Sequence, residues 1–439
     1  MTTGASDPER VDLEVDYLVI GGGTAGGVVA ARLTEDPGVS VGVLEWGPDD
    51  RGEDRARYLR RWAEMVESEY DLDYRSVPQT RGNSGIRQTR ARLLGGCSTT
   101  NTMISWRPLR ADLDEWAELG AAGWDADTFQ PYFDRLAIPI HPVATADRNP
   151  VLADIVQAAS TALGLPVQER WNDGRTDVDA HGTGFFELGY DPATNVRGST
   201  SIWYLHPILD ARENLTLVTG ARVTRLLLEG GRAIGAEYRD AEGVVHVARA
   251  RREIVVAAGA IDTPRLLLLS GIGPRAVLEA AGVPVAVELP GVGENLQDHA
   301  EGLVVWETVE DPPDISASGW DAGAMLQVDA GRPERPDVMM HFPVEAWVEH
   351  PKNHGIVFPE HIVAIAPNVA KPSSRGRVWI ASPIRMPPPH RLPLFHRPGG
   401  PRRADAARRR ARRAGDRRGR AVPQPHRARG VPRRRRAVR

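Results

Sequence analysis

The chain has 439 residues, of which 41% are hydrophobic and 26% charged, and its formal net charge is -3. This length exceeds what one hydrophobic core usually serves, so two domains or one large two-lobed enzyme is expected. A single cysteine, Cys97, excludes an internal disulfide framework. No apolar stretch reaches the roughly 18 residues of a membrane helix, and the polar N-terminus has no signal-peptide pattern. We therefore expect a cytoplasmic protein that does not bind membranes.

The charge is distributed unevenly along the chain. Residues 391–439 contain 19 Arg and two acids, a net charge of +17, whereas the first 390 residues carry 36 basic and 56 acidic side chains, or -20. From residue 383 onward the sequence lacks the apolar period of a helix or strand, so residues 386–439 are expected to be disordered. An out-of-frame reading of the gene and a natural basic tail both fit this composition. Such a tail would bind nucleic acid only nonspecifically, through its phosphates.

The first elements predicted along the chain form a strand–loop–helix–strand unit. Residues 17–20 are an apolar run that opens into glycines, residues 28–36 are helix-like, and residues 41–45 form a second apolar run. This order predicts a parallel sheet.

The loop of this unit carries a dinucleotide-binding pattern. Gly21, Gly23 and Gly26 match G-x-G-x-x-G between a strand and a helix, where the backbone must turn tightly and approach a pyrophosphate. Glu45 ends the next strand and is placed to accept hydrogen bonds from a ribose. Taken alone, this pattern does not separate FAD from NAD.

Three further elements are predicted in the second half of the chain. Residues 215–240 alternate apolar and polar side chains around a Gly-Gly pair, which favours a hairpin or meander. Residues 252–260 are typical of a short buried strand that ends in glycine. Residues 263–273 resemble a helix that ends at a Gly-Ile-Gly-Pro stop signal.

Three ordered runs, residues 93–108 (LLGGCSTTNTMISWRP), 259–274 (GAIDTPRLLLLSGIGP) and 289–299 (LPGVGENLQDH), resemble the signatures of the glucose-methanol-choline (GMC) oxidoreductases. The resemblance covers about residues 11–385 and implies FAD rather than NAD. It implies an α/β fold in which an FAD-binding Rossmann-like domain is interleaved with a smaller substrate domain of antiparallel sheet plus helices. It places the cofactor against Gly21, Gly23, Gly26, Glu45, Gly95, Gly96, Thr100, Asn101, Thr102, Val223 and Gly259.

The same resemblance predicts how the two domains alternate along the chain. The FAD-binding domain is expected over residues 11–160 and 202–300, and the substrate domain over 161–201 and 301–385. The Arg-rich tail would follow over residues 386–439.

Four further runs, residues 61–74 (RWAEMVESEYDLDY), 111–116 (ADLDEW), 298–302 (DHAEG) and 337–342 (DVMMHF), most resemble the choline-oxidising members of the family. This implies that Trp62, Trp320 and Glu301 bind the trimethylammonium head of choline, and that catalytic His341 binds the substrate hydroxyl. The residue types suit the task, because a quaternary ammonium donates no hydrogen bonds and is held best by aromatic faces and a carboxylate. Each also has a structural interpretation: the tryptophans as core packing, Glu301 as a solvated charge and His341 as a satisfied core histidine.

Two departures from the family pattern affect the expected activity. Thr100 occupies the position of a histidine that the choline-oxidising relatives bond covalently to the flavin, so non-covalent FAD is expected. The family's catalytic histidine lies beyond residue 385 and has no counterpart in this chain, so impaired turnover is expected. The expected partners are a small alcohol, O2 or another electron acceptor, and a second copy in a homodimer. The alternatives are a GMC dehydrogenase or lyase for another alcohol, and a non-catalytic protein with a nucleic-acid-binding tail.

Overall fold

The computed structural model describes residues 11–79, 85–172, 181–329, 331, 335–344, 359, 361–381 and the backbone of 395–396. All of them belong to one unit, residues 1–397. The predicted tail, residues 386–439, therefore lies outside the described residues except for that two-residue strand.

The described residues form strands and helices with these bounds. The strands are β1 Leu13–Ile20, β2 Val41–Leu44, β3 Tyr74–Arg75, β4 Arg87–Gln88, β5 Ile140–Pro142, β6 Gly182–Phe185, β7 Glu187–Asp191, β8 Val196–Arg197, β9 Leu215–Val218, β10 Arg222–Glu229, β11 Arg232–Arg239, β12 Val245–Val256, β13 Ile272–Gly273, β14 Val287–Glu288, β15 Val304–Glu307, β16 Ala322–Leu326, β17 Val338–His341, β18 Ile362–Val369, β19 Arg377–Val378 and β20 Phe395–His396. The α-helices are α1 Thr24–Leu33, α2 Asp54–Arg57, α3 Arg110–Glu118, α4 Ala126–Phe133, α5 Pro150–Leu163, α6 His206–Leu209, α7 Gly259–Leu269 and α8 Arg275–Ala281.

The larger sheet has six strands in the order β10-β11-β12-β1-β2-β9. Strands β12, β1, β2 and β9 pair in parallel, and β10, β11 and β12 pair antiparallel. Leu18, Val19 and Ile20 of β1 are at most 3% exposed, because the strand is covered on both faces as parallel strands usually are. The predicted parallel unit is thus present within a mixed sheet.

Strand β1 begins four residues before the apolar run that predicted it. The additional residues pair with β12, where Leu13 faces Ala248 and Val15 faces Ala250. Asp16 interrupts the apolar pattern, but its carboxylate accepts hydrogen bonds from the backbone and hydroxyl of Ser40 at 2.9 and 3.0 Å. A polar side chain that is satisfied locally can therefore extend a buried strand.

For residues 215–273, the predicted hairpin, strand and helix are present, but their first and last residues differ from the prediction. Gly230 and Gly231 have φ of 57° and 81° and connect β10 to β11, as a two-residue hairpin turn with two positive φ values requires. Strand β9 lies outside this hairpin and pairs in parallel with β2. Strand β12 has twelve residues instead of the short strand expected, and α7 begins at Gly259 rather than near residue 263.

The smaller sheet has five antiparallel strands in the order β15-β18-β17-β16-β6. Helix α5 packs on it, and its Leu152 and Val156 share a core cluster with Phe185, Ala322 and Phe342. The first part of α5 falls within the range 11–160 that was assigned to the FAD-binding domain. The domain bounds stay a prediction. None of the helices in the described part of the chain is long and apolar enough to cross a membrane.

Candidate active site

A cavity of about 440 Å³ lies at the carboxyl ends of β1, β2 and β12. Because parallel strands point their carboxyl ends to one edge of a sheet, this is where open α/β sheets bind ligands. Six of the predicted cofactor residues line the cavity: Gly21, Gly23, Glu45, Gly96, Val223 and Gly259.

The first glycine loop has the close backbone approaches that its pattern predicts. Gly21 has φ of +98°, and a Cβ there would lie 2.6 Å from the carbonyl oxygen of Ala257. A Cβ on Gly26 would lie 1.9 Å from the carbonyl oxygen of Gly21, so this glycine allows helix α1 to pack on the loop. Gly23 precedes α1 with no side-chain cap, which leaves the helix N-terminus suited to a phosphate.

Glu45 joins this loop to the end of β2. Its carboxylate accepts hydrogen bonds from the backbone N–H of Gly22 at 2.8 Å and of Gly47 at 2.7 Å. Burial raises the pKa of Glu45 to about 7, although the two backbone donors act in the opposite direction. The carboxylate is therefore held rigidly beside the cavity as a hydrogen-bond acceptor, as the ribose assignment requires.

We predict that Glu45 makes the FAD-free chain less stable as the pH rises. The folded-state pKa of Glu45 is above the ordinary value of 4.5, so the folded state binds the proton more tightly, and its stability decreases between about pH 4.5 and 7. Between pH 5 and 8, urea unfolding should show a loss on the order of 3 kcal/mol that Glu45→Gln lacks. Parallel pH profiles for the two proteins would contradict this prediction.

The opposite wall of the cavity contains charged and aromatic residues that were not predicted. Two guanidinium groups lie near the ring of Trp46, whose centroid is 4.8 Å from Cζ of Arg222 and 5.7 Å from Cζ of Arg92. Deeper in the wall, Asp262 accepts hydrogen bonds from the Tyr74 hydroxyl at 2.8 Å and from Arg265 at 2.5 Å. This wall offers stacking and positive charge to a nucleotide, and no local sequence pattern identified it.

A second glycine-rich loop crosses the first one backbone to backbone. The N–H of Gly95 donates to the carbonyl oxygen of Gly22 at 2.9 Å. A Cβ on Gly96 would lie only 2.7 Å from the Cα of Gly23. The signature run is therefore fixed against the dinucleotide loop, and its Gly96 and Cys97 line the cavity.

Five predicted cofactor residues do not line the cavity. Gly26 and Gly95 belong to the two glycine loops, and Thr100, Asn101 and Thr102 follow the second loop. Thr100 is 7% exposed, and its hydroxyl donates to the carbonyl oxygen of Cys97 at 3.4 Å. The side-chain oxygen of Asn101 accepts from the N–H of Met103 at 3.1 Å. Thr102 comes next along the chain. The assignment of these three residues to the cofactor stays a prediction.

The lining fits the adenosine diphosphate part of a flavin dinucleotide. Gly259 has φ of +85°, and a Cβ there would meet no atom within 4 Å, so the cavity is open at this point. Together with Gly21 and the uncapped start of α1, it leaves room for a pyrophosphate next to backbone donors. Glu45 places a hydrogen-bond acceptor beside the cavity, and its assignment to a ribose stays a prediction.

The four predicted substrate residues form one cluster on the smaller sheet and its neighbouring loops. The rings of Trp62 and Trp320 meet edge to face, with centroids 6.3 Å apart. The His341 ring lies 5.3 Å from that of Trp320, and its Nδ1 is 2.8 Å from Oε2 of Glu301. The two tryptophans are 3% and 6% exposed, whereas the Glu301 side chain keeps 30% of its exposure.

Local structure explains how these residues meet. Trp62 lies on the 3-10 helix Leu59–Met65, and its indole N–H donates to the carbonyl oxygen of Ser318 at 2.7 Å. Asp321 organises the turn before β16 by accepting from the N–H groups of Ala317 and Ser318 at 2.8 Å each. Trp320 lies in this turn, which positions it against Trp62.

Asn368 joins the cluster although it was not predicted. Its side-chain amide donates to Oε2 of Glu301 at 3.2 Å, and the residue is 4% exposed. The sequence does contain a signal for it. In β18 the buried positions alternate as Ile362, Ala364, Ala366 and Asn368, so an amide occupies a position typical of an apolar core residue.

Comparison with known proteins decides the family. The model of the GMC oxidoreductase family matches residues 15–301. The chain belongs to the GMC oxidoreductases. Choline oxidase of Arthrobacter globiformis is 41% identical to this chain over 389 residues. The aligned region covers 84% of this chain and 70% of the choline oxidase. The oxygen-dependent choline dehydrogenase of Pseudomonas putida is 33% identical over 430 residues, which cover 87% and 73%.

Solved structures of other oxidases share the GMC fold. Pyridoxine 4-oxidase from Mesorbium loti superposes with a TM-score of 0.76 and 29% identity, over 84% of this chain and 74% of that one. A formate oxidase superposes with a TM-score of 0.75 and 22% identity, over 88% and 77%, which shows the fold alone. The predicted fold class is confirmed, and the chain is an FAD-dependent GMC oxidoreductase.

Proposed function

We propose that this chain oxidises the CH–OH group of choline or a related quaternary-ammonium alcohol, with FAD as the hydride acceptor. The observation that carries the proposal is the contact of Trp62, Trp320, His341 and Glu301 in one cluster. The 41% sequence identity to the Arthrobacter globiformis choline oxidase supports the proposal.

The cluster combines aromatic rings with a carboxylate, the two kinds of group that stabilise a quaternary ammonium cation. The rings of Trp62 and Trp320 stand at a right angle, and an aromatic ring face stabilises a cation placed beside it by about 0.5 to 2 kcal/mol. Oε2 of Glu301 accepts from His341 and Asn368, which leaves Oε1 for the charge of the ligand. A trimethylammonium group requires such a site because it donates no hydrogen bonds.

His341 supplies a polar atom for the hydroxyl end of the substrate. Because the Glu301 carboxylate is only an acceptor, the proton of the neutral imidazole lies on Nδ1. Nε2 then carries a lone pair that can accept a hydrogen bond from the substrate O–H. FAD supplies the hydride acceptor when it is bound. His341 would thus be catalytic as well as substrate-binding.

The proposal is tested by comparing choline with 3,3-dimethylbutan-1-ol, in which a carbon replaces the charged nitrogen. Each alcohol is titrated anaerobically into the FAD-loaded chain, and its dissociation constant is read from the flavin absorbance spectrum. We expect choline to bind at least about tenfold more tightly, because the neutral alcohol gains nothing from the rings or from Glu301. Equal affinities would remove the choline assignment and leave only the family.

The alternative proposal is that the chain acts on another alcohol. Pyridoxine 4-oxidase, at 29% identity, is named for a different alcohol and shares the fold. If both test alcohols bind weakly, the chain is better described as a GMC dehydrogenase or lyase for another alcohol. The electron acceptor is proposed to be O2 or another molecule.

FAD is proposed to bind without a covalent bond. Thr100 stands where the GMC resemblance implies the linking histidine, and its hydroxyl already donates to Cys97. A threonine hydroxyl does not form the histidyl bond, so only contacts hold the flavin.

Releasable flavin is the expected result of this arrangement. After acid precipitation of the FAD-loaded protein, all yellow chromophore should stay in the supernatant. The Arthrobacter choline oxidase relative, treated in parallel, serves as the comparison. Flavin that remains in the washed pellet of this chain would contradict the proposal.

A further inference from the structure

Arg197, the last residue of β8, is a completely buried arginine behind the second glycine-rich loop. Its Nη1 donates to the carbonyl oxygens of Ser98 and Asn101, at 2.9 Å each. These two carbonyls flank the turn that follows Gly96 and Cys97, which line the cofactor cavity. The guanidinium of Arg197 therefore links two backbone carbonyls of this loop.

Within the described part of the chain, the charge of Arg197 has no acidic partner. It forms no ion pair with any carboxylate of the described residues, and its Nε and Nη2 have no hydrogen-bond partner there. Arg265, a buried arginine that lines the cofactor cavity, differs because Asp262 neutralises it at 2.5 Å. Burying an unpaired charge is unfavourable, so the charge of Arg197 opposes folding.

The loop that Arg197 holds is already fixed by neutral groups. The Ser98 hydroxyl donates to the carbonyl oxygen of Gly95 at 2.6 Å and accepts from the N–H of Thr200 at 3.1 Å. Neutral hydrogen bonds would therefore be sufficient to shape the loop, and the positive charge is the feature that needs an explanation.

We infer that Arg197 is a positioning residue whose unpaired charge, held behind the loop of Ser98 and Asn101, stabilises the reduced form of the bound flavin. Reduction adds negative charge to the isoalloxazine ring, and charges near that ring tune its electronics. A buried charge acts over longer distances than a solvated one because less solvent screens it. This inference goes beyond the proposed function, since it concerns the redox equilibrium of FAD and no substrate.

The protonation state of Arg197 is consistent with this role. Burial lowers the pKa of Arg197 to about 9. The guanidinium is still protonated at neutral pH, so the charge is present where the protein works.

The test is equilibrium reduction of the FAD-loaded chain against a redox dye. At a fixed dye potential, Arg197→Gln should lower the ratio of reduced to oxidised flavin about tenfold, whereas Arg197→Lys, which keeps the charge, should stay within about threefold of the parent. Arg212→Gln is the matched control. Arg212 donates to the carbonyl oxygen of Ala31 and the hydroxyl of Thr34, at the far end of α1, so its loss should leave the ratio unchanged.

Each outcome decides the question. An unchanged ratio in Arg197→Gln, or an equal fall in the Gln and Lys variants, would show that Arg197 only shapes the loop and overturn the inference. If the Gln variant does not fold, Arg197→Met replaces it and leaves no buried polar atom of its own. A parent chain that retains no FAD would overturn the inference as well. Failure of choline binding would leave it untouched, because no alcohol is present.

Discussion

Exchanging residues 386–439 for the C-terminal segment of Arthrobacter globiformis choline oxidase is expected to accelerate anaerobic reduction of FAD by choline by about 10² to 10⁴. The GMC resemblance implies that the catalytic histidine lies in that segment, and this chain has Arg-rich sequence there. His341 is hydrogen-bonded to Glu301, and in the proposed function it only binds the substrate hydroxyl. We propose that turnover by the present chain is impaired for this reason. Stopped-flow recording of flavin bleaching measures the difference.

A chain that ends at residue 385 is the control for this exchange. It removes the +17 charge of residues 391–439 without adding a histidine. It therefore distinguishes a faster reaction caused by loss of the basic tail from one caused by the added catalytic base. We expect this shortened chain to reduce its flavin as slowly as the parent. Equal rates in the parent and the chimaera would show that residues 1–385 and the basic segment already form a working site.

The geometry of the first glycine loop could be predicted from the sequence because its signals are local. Gly21, Gly23, Gly26 and Glu45 lie within one strand–loop–helix–strand unit, where steric demands on the backbone select glycine and the strand end selects the acid. The arginines of the cavity wall were not predicted. Arg222 begins a strand of the hairpin and Arg265 lies within α7, and neither position differs locally from an exposed arginine.

The substrate cluster could be predicted only through the family resemblance. Trp62 and His341 are far apart in sequence, and no periodicity relates a 3-10 helix to the end of β17. Both rings contact Trp320, which precedes β16, and the pairing of β16 with β17 brings Gly323 opposite His341. Long-range pairing of this kind leaves little trace in one sequence. For the same reason, the sequence did not predict that Arg197 is buried behind the second glycine-rich loop.

Glu301→Gln is expected to weaken choline binding by about 10- to 100-fold and to change the affinity for 3,3-dimethylbutan-1-ol less than twofold. The glutamine keeps an oxygen that accepts from His341 Nδ1, so the cluster retains its shape while the ligand loses a negative charge. The carboxylate side chain is 30% exposed, so solvent screening reduces the loss to about 1.5 to 3 kcal/mol. Titration monitored by flavin absorbance measures both affinities.

Glu307→Gln is the matched control, since Glu307 is an exposed acid on the neighbouring β15. It removes the same charge from the same sheet, and we expect it to change choline binding less than twofold because water screens it. If Glu301 had only a structural role, its substitution would weaken both alcohols equally. A selective loss of choline requires the carboxylate to face the cationic head, and indifference of the Glu301→Gln variant to ligand charge would disprove that contact.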